Sequence, residues 1–206
     1  MKSKILFVCM GIVLSLAGCG SKEIEIAEAM GCYTIDLYSY EELAGDADYV
    51  MIGKVVEELG VKYEFPIMTE NEDGTPKELS KPYTEYSVEV IENLKGELSQ
   101  EEPIIISKDG GITKDGKFCE LHECDVLPVE GNEYVFYIYA QKDGSNLASG
   151  PNSSIPLSDN HKELSTISEE AMLDRESILE KVRNGVANQI DTGSEKGISK
   201  DDASVK

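Results

Sequence analysis

Cys119, His122 and Cys124 fall within six positions of one another, with Cys32 far upstream. Thiolate and imidazole are the ligand types that zinc prefers, so these three residues form a candidate metal site. Neither zinc-finger spacing nor a second C-x-x-C pair is present to supply a fourth ligand. The same sulfurs could instead form a disulfide. Cys119 and Cys124 are five positions apart, so on a straight strand they would point to opposite faces. A turn through residues 120–123 would be needed to join them. A pairing that involves Cys32 is a second possibility and free thiols are the third; one cysteine is left over in any case. His122 reads as a solvent-facing loop residue if no metal is held.

Other chemistries find little support. The chain has two histidines, His122 and His161, and no G-x-S-x-G elbow, so a Ser/His/Asp arrangement has almost nothing to build with. Paired carboxylates are guaranteed somewhere among 40 acids, and that abundance makes them uninformative. The acidic stretch 70–74 resembles a calcium loop only superficially. With Gly74 as the sixth position, Thr69 and Ser80 fall where acidic ligands are required. Asn152-Ser153-Ser154 fits a glycosylation sequon, read here as accidental. No Walker loop and no G-x-G-x-x-G follows a strand, so no cofactor is expected.

The N-terminus carries a stronger signal. Lys2 and Lys4 precede an apolar run over residues 5–16, the layout of a signal peptide. As a helix the run would reach about 18 Å, short of the roughly 30 Å hydrocarbon core. It ends in Leu16-Ala17-Gly18-Cys19, which resembles the lipobox of bacterial lipoproteins. The resemblance implies a diacylglyceryl group on the Cys19 sulfur, cleavage before Cys19, and a location on the extracytoplasmic face of the cell membrane. Two acyl chains suffice for stable anchoring, because each buried methylene contributes about 0.8 kcal/mol. Removing the leader takes away Lys2 and Lys4 and no acid, so the formal charge moves from −21 to −23. Such a surface is repelled by phosphate backbones and anionic headgroups, which argues against nucleic acid as a partner.

These residues must be positioned by the elements that follow. Residues 20–31 read as a charged tether. Ser39 to Glu42 match a capping box, with Ser39 accepting from a first-turn amide and Glu42 reaching back, so a short helix should run to about Ala47. Residues 49–59 read as one long strand bent around Gly53. Residues 84–91 alternate, with Tyr86, Val88 and Val90 on one face. Residues 103–107 and 133–140 read as buried strands, and residues 153–157 as a weaker one. The polar stretch 64–82 reads as a tolerated insertion, with a binding edge as the alternative. A final helix should start near Thr166 or Ser168 and bury Met172, Ile178, Leu179, Val182 and Val186. Residues 191–206, poor in large apolar groups, should be disordered. Tyr134, Tyr137 and Tyr139 sit with Phe136 in one strand. One set should fill the interior and the other pack beneath the C-terminal helix, and the alternative is a recognition face for a peptide or glycan.

Residues 47–55, 86–96, 104–107 with Gly110-Gly111, and 129–137 together resemble a group of small bacterial surface proteins with an OB-like domain. That resemblance implies a mainly β fold: a small antiparallel five-stranded OB-like barrel with a short N-terminal helix and a C-terminal helix. The expected organisation is a signal peptide over 1–18, lipidated Cys19 and tether over 19–38, barrel over 39–160, helix over 161–190 and tail over 191–206. The expected role is a membrane-anchored, non-catalytic binding or interaction module for a peptide, protein or glycan. The alternatives are an envelope hydrolase using paired carboxylates and a metal carrier using Cys119, His122 and Cys124.

Overall fold

The computed structural model describes residues 24–29, 31–157, 165–166 and 174–205. Cys19, the leader, His161, Ser168 and Met172 lie outside the described residues. The chain is mainly β with two helices: β1 (Glu25–Ala29), α1 (Tyr40–Asp46), β2 (Tyr49–Glu70), β3 (Pro76–Lys95), β4 (Ile104–Asp109), β5 (Gly111–Ile112), β6 (Phe118–His122), β7 (Glu133–Ala140), β8 (Asn146–Ala148), β9 (Ser154–Pro156) and α2 (Arg175–Ala187).

The larger sheet has the order β2-β3-β4-β8-β7-β9, and a further β2–β7 pairing closes β2, β3, β4, β8 and β7 into a ring. Neighbours in the ring are antiparallel except β4 and β8, which run parallel. Alternation along β7 supplies both cores, as the aromatic pattern predicts. Tyr134, Phe136 and Ile138 point inward to Met51, Val55, Tyr86, Val88 and Ile106. Val135 and Tyr137 point outward and pack with Val50 and Ile52 under Leu43 of α1 and Ile178, Leu179 and Val182 of α2. Each such fully buried side chain contributes roughly 1.5–3 kcal/mol.

The stretch read as an insertion is a continuation of the β2–β3 hairpin, paired from Lys62↔Tyr83 to Glu70↔Pro76 with one register shift between Glu64 and Ile67. Its turn closes through Asn71 N–H to Thr75 O at 2.8 Å and Gly74 N–H to Asn71 O at 2.9 Å. Gly74 takes φ 79°, a left-handed conformation that a side chain would disfavour. Burial alternation disappears there because most residues of this arm are exposed on both faces, so the period that betrays a half-buried strand is absent.

Four further expectations are corrected. Within the stretch read as a tether, residues 25–29 form β1, parallel to β6, in a second sheet of order β1-β6-β5. Helix α1 keeps half of its capping box: Ser39 Oγ accepts from Glu42 N–H at 3.1 Å, but the Glu42 carboxylate accepts from Asp36 N–H at 2.7 Å. The second helix begins after an Asp174 cap rather than at Thr166, whose N–H and hydroxyl engage Asp125 and His122. The tail is packed, not disordered. Lys196 Nζ donates to the Gly45 and Asp46 carbonyls, Lys200 N–H to Gly144 O, Ser99 N–H to Asp201 O, and Tyr49 OH to the Asp202 carboxylate at 2.6 Å. Polar bonds hold it, and composition does not register those.

Candidate functional site

The arm and the small sheet enclose a groove of about 570 Å³. Phe65, Ile67, Leu79 and Phe118 line it, with Ala27 of β1 at one side. Five consecutive residues of β3, Lys77 to Lys81, also line it. Successive strand side chains point to opposite faces, so an unbroken run along the wall means that the strand edge faces the groove. Along this run β3 pairs with β2 on one side; on the other side its ladder with β4 starts at Thr84, preceded only by a bridge in which Gly110 bonds Pro82 and Thr84. The rim is polar: Lys114 bridges to Glu78 at 2.7 Å, Lys77 lies 3.9 Å from Asp115, and Tyr63 OH donates to Ile112 O at 3.1 Å. These contacts tie the arm to the β5–β6 hairpin. Phe65 sits at φ 52°, where the register shifts between Glu64 and Ile67, a strained position of the kind that clusters at binding sites. The Ser80 hydroxyl is buried without a hydrogen-bond partner among the described residues.

Behind the groove lies a buried polar cluster centred on Asp109. Its Oδ2 accepts from Ser149 Oγ at 2.6 Å, Lys81 Nζ at 2.8 Å and His122 Nε2 at 3.1 Å. Tyr33 OH lies 2.8 Å from His122 Nδ1, so the tautomer that satisfies both contacts carries its proton on Nε2. Burial alone would raise Asp109, yet the bonds from His122, Lys81 and Ser149 hold its carboxyl well below the usual carboxylate range. Lys81 is raised in turn: burial, the largest single influence, opposes its charge, but the hydrogen bond and charge of Asp109 together with Tyr83 outweigh it. The cluster fixes Lys81, and with it the start of the free edge.

No known protein family and no curated protein matches this chain.

The structure places the sequence-predicted residues differently from the cysteine-cluster readings. Cys32, Cys119 and Cys124 are all free thiols. β6 stays extended through His122, so the turn that a Cys119–Cys124 bond requires does not form. Cys119 is buried, with its thiol pushed up to about 11 by burial. Cys124 takes φ 52° in the turn and lies 3.9 Å from Tyr38 OH, which itself donates to Glu123 at 2.9 Å. His122 is not a solvent-facing loop residue; it is buried at the end of β6. Both of its ring nitrogens are engaged by protein groups. Among the described residues no group of three or more His, Cys, Asp and Glu is placed to hold a metal ion. Tyr134, Phe136 and Tyr137 are fully buried and Tyr139 is partly buried against the second core, so the β7 aromatics are engaged in packing. Sequence reasoning missed Lys81, Asp109 and the groove wall. One signal was present: Lys108 and Asp109 end a strand of isoleucines, where a charge must find buried partners.

Proposed function

We propose that this protein is a lipid-anchored, extracytoplasmic binding module with an OB-like barrel, which captures an extended polypeptide segment without catalysis. The observation that carries the ligand class is the run from Lys77 to Lys81 lining an apolar groove. A free strand edge offers backbone donors and acceptors to an added strand, and flanking apolar walls take alternate side chains. The OB-like reading is supported by the ring order, in which the first strand pairs with the second and fourth and the third lies parallel to the fifth. In OB-type barrels the connection between the first two strands is a common ligand-binding element, and here it is the long arm. The anchor rests on Leu16-Ala17-Gly18-Cys19; among the described residues no helix is long and apolar enough to cross a membrane.

Two measurements test the proposal. Intact mass spectrometry of the membrane-extracted protein should give a chain starting at Cys19 with a diacylglyceryl group, and Cys19→Ser should lose it; normal membrane retention of that variant counts against the anchor. The purified domain, panned against random heptapeptides, should enrich alternating apolar sequences, and Leu79→Asp should abolish the enrichment. Leu79 is exposed, so this change leaves the core intact. Enrichment unaffected by Leu79→Asp, or binding to a glycan array alone, would refute the polypeptide assignment.

A further inference from the structure

A second polar cluster lies inside the molecule. Lys108 near the end of β4, Asp125 after β6 and Ser153 just before β9 meet where the side chains of Lys108 and Asp125 are wholly excluded from solvent. Lys108 Nζ donates to Asp125 Oδ2 and to Ser153 Oγ, the latter at 2.7 Å. Ser153 Oγ in turn donates to Asp125 Oδ2 at 3.3 Å. The other carboxylate oxygen, Asp125 Oδ1, is buried without a hydrogen-bond partner among the described residues.

As an ion pair this arrangement is poorly satisfied. Among the described residues the ammonium, with three donors, meets two acceptors, and Oδ1 has no hydrogen bond of good geometry, the backbone N–H of Val126 being the nearest help to the carboxylate. Unpaired polar atoms in a dry site are costly, and a buried ion pair repays its desolvation only when its remaining atoms are hydrogen-bonded. An amide in the same place carries no charge and has one N–H to satisfy instead of three, with Oδ1 as its carbonyl oxygen. We propose that Lys108 and Asp125 are joined by an intramolecular isopeptide bond.

The step balances without a co-reactant. The free amine is the nucleophile, so the reaction begins with transfer of one proton from Nζ to the Asp125 carboxylate. Burial does raise the Asp125 carboxyl above its ordinary range, against the pull of Lys108. The Nζ lone pair then attacks Cγ, the C–Oδ2 bond breaks, and Oδ2 leaves as water with its own proton and one from Nζ. Ser153 touches both reacting groups and relays that second proton. Fixing amine and carboxyl together in a rigid core supplies the proximity that free side chains lack. Amine and carboxyl come from segments separated by 17 residues, so the bond ties β4 to the segment that follows β6.

Peptide mapping of the denatured wild-type chain tests this directly. The expected intact mass is lower by one water, about 18 Da. Trypsin should fail to cut after Lys108, giving residues 96–114 branched to residues 118–142. Lys108→Arg should restore the full mass for its sequence. A linear peptide ending at Lys108, with no mass deficit, would overturn the proposal. Ser153→Ala should leave a larger uncrosslinked fraction, and equal crosslinking would overturn the relay.

Discussion

Replacing Asp109 with asparagine should destabilise the protein by about 2–4 kcal/mol, because one carboxylate oxygen organises three elements. The carboxylate side chain is 5% exposed and accepts from His122, Ser149 and Lys81. The Lys81 side chain is 37% exposed, so its bond is screened and adds at most about 1 kcal/mol. The His122 and Ser149 bonds are charge-assisted, the first buried and the second partly so, and bonds of this kind contribute roughly 1.5–3 kcal/mol each. Asparagine keeps one acceptor but brings an NH₂ group toward these donors, so part of the contribution survives. Urea unfolding followed by circular dichroism measures the difference as a lowered midpoint at unchanged slope. The pH dependence supplies a second check. The folded carboxyl is held below its unfolded value, so its contribution is complete above the unfolded value of about 4 and is lost as pH falls through the folded one. The gap between wild type and variant should therefore shrink below about pH 4. A difference under about 0.5 kcal/mol at neutral pH, or a gap that persists undiminished in acid, would refute this account of the cluster.

Other consequences are equally open to test. Truncation after Ile190 removes the carboxylate that Tyr49 OH reaches, the Lys196 ammonium that caps the α1 carbonyls, and the backbone groups of Asp201 and Ala203 that bond the 97–99 segment. It should lower the melting temperature by several degrees, corresponding to about 1–3 kcal/mol; an unchanged melting temperature would mean that the tail contacts are not maintained in solution. Iodoacetamide should label Cys32 in the folded protein and spare Cys119 until denaturant is added, since Cys119 is buried and its thiol is pushed up to about 11. A gain of about 2 Da on reduction alone would reveal a disulfide and reverse that assignment.

The fold was readable wherever one face of an element is buried and the other is not. Ser39 announced α1, Gly53 the bend in β2, and the aromatic run of β7 both cores, because capping and period-2 burial are local in sequence. The same logic failed on the arm, where exposure removes the period, and on β1, β5 and β8, which are too short to carry one. The tail was misread because its stability comes from hydrogen bonds to distant carbonyls and not from buried apolar area.

The site divides along the same line. The amino-acid sequence by itself determined the lipobox-like run Leu16-Ala17-Gly18-Cys19, the acidity and the scarcity of histidine, since each depends on residue type or on a short contiguous motif. Only the tertiary structure decided that His122 serves Asp109 and not a metal, that Cys119 and Cys124 stay apart, and that Lys108 meets Asp125. It alone also left one edge of β3 open beside an apolar wall. Each of these outcomes turns on which distant segments the ring closure brings together, and no local spacing encodes that.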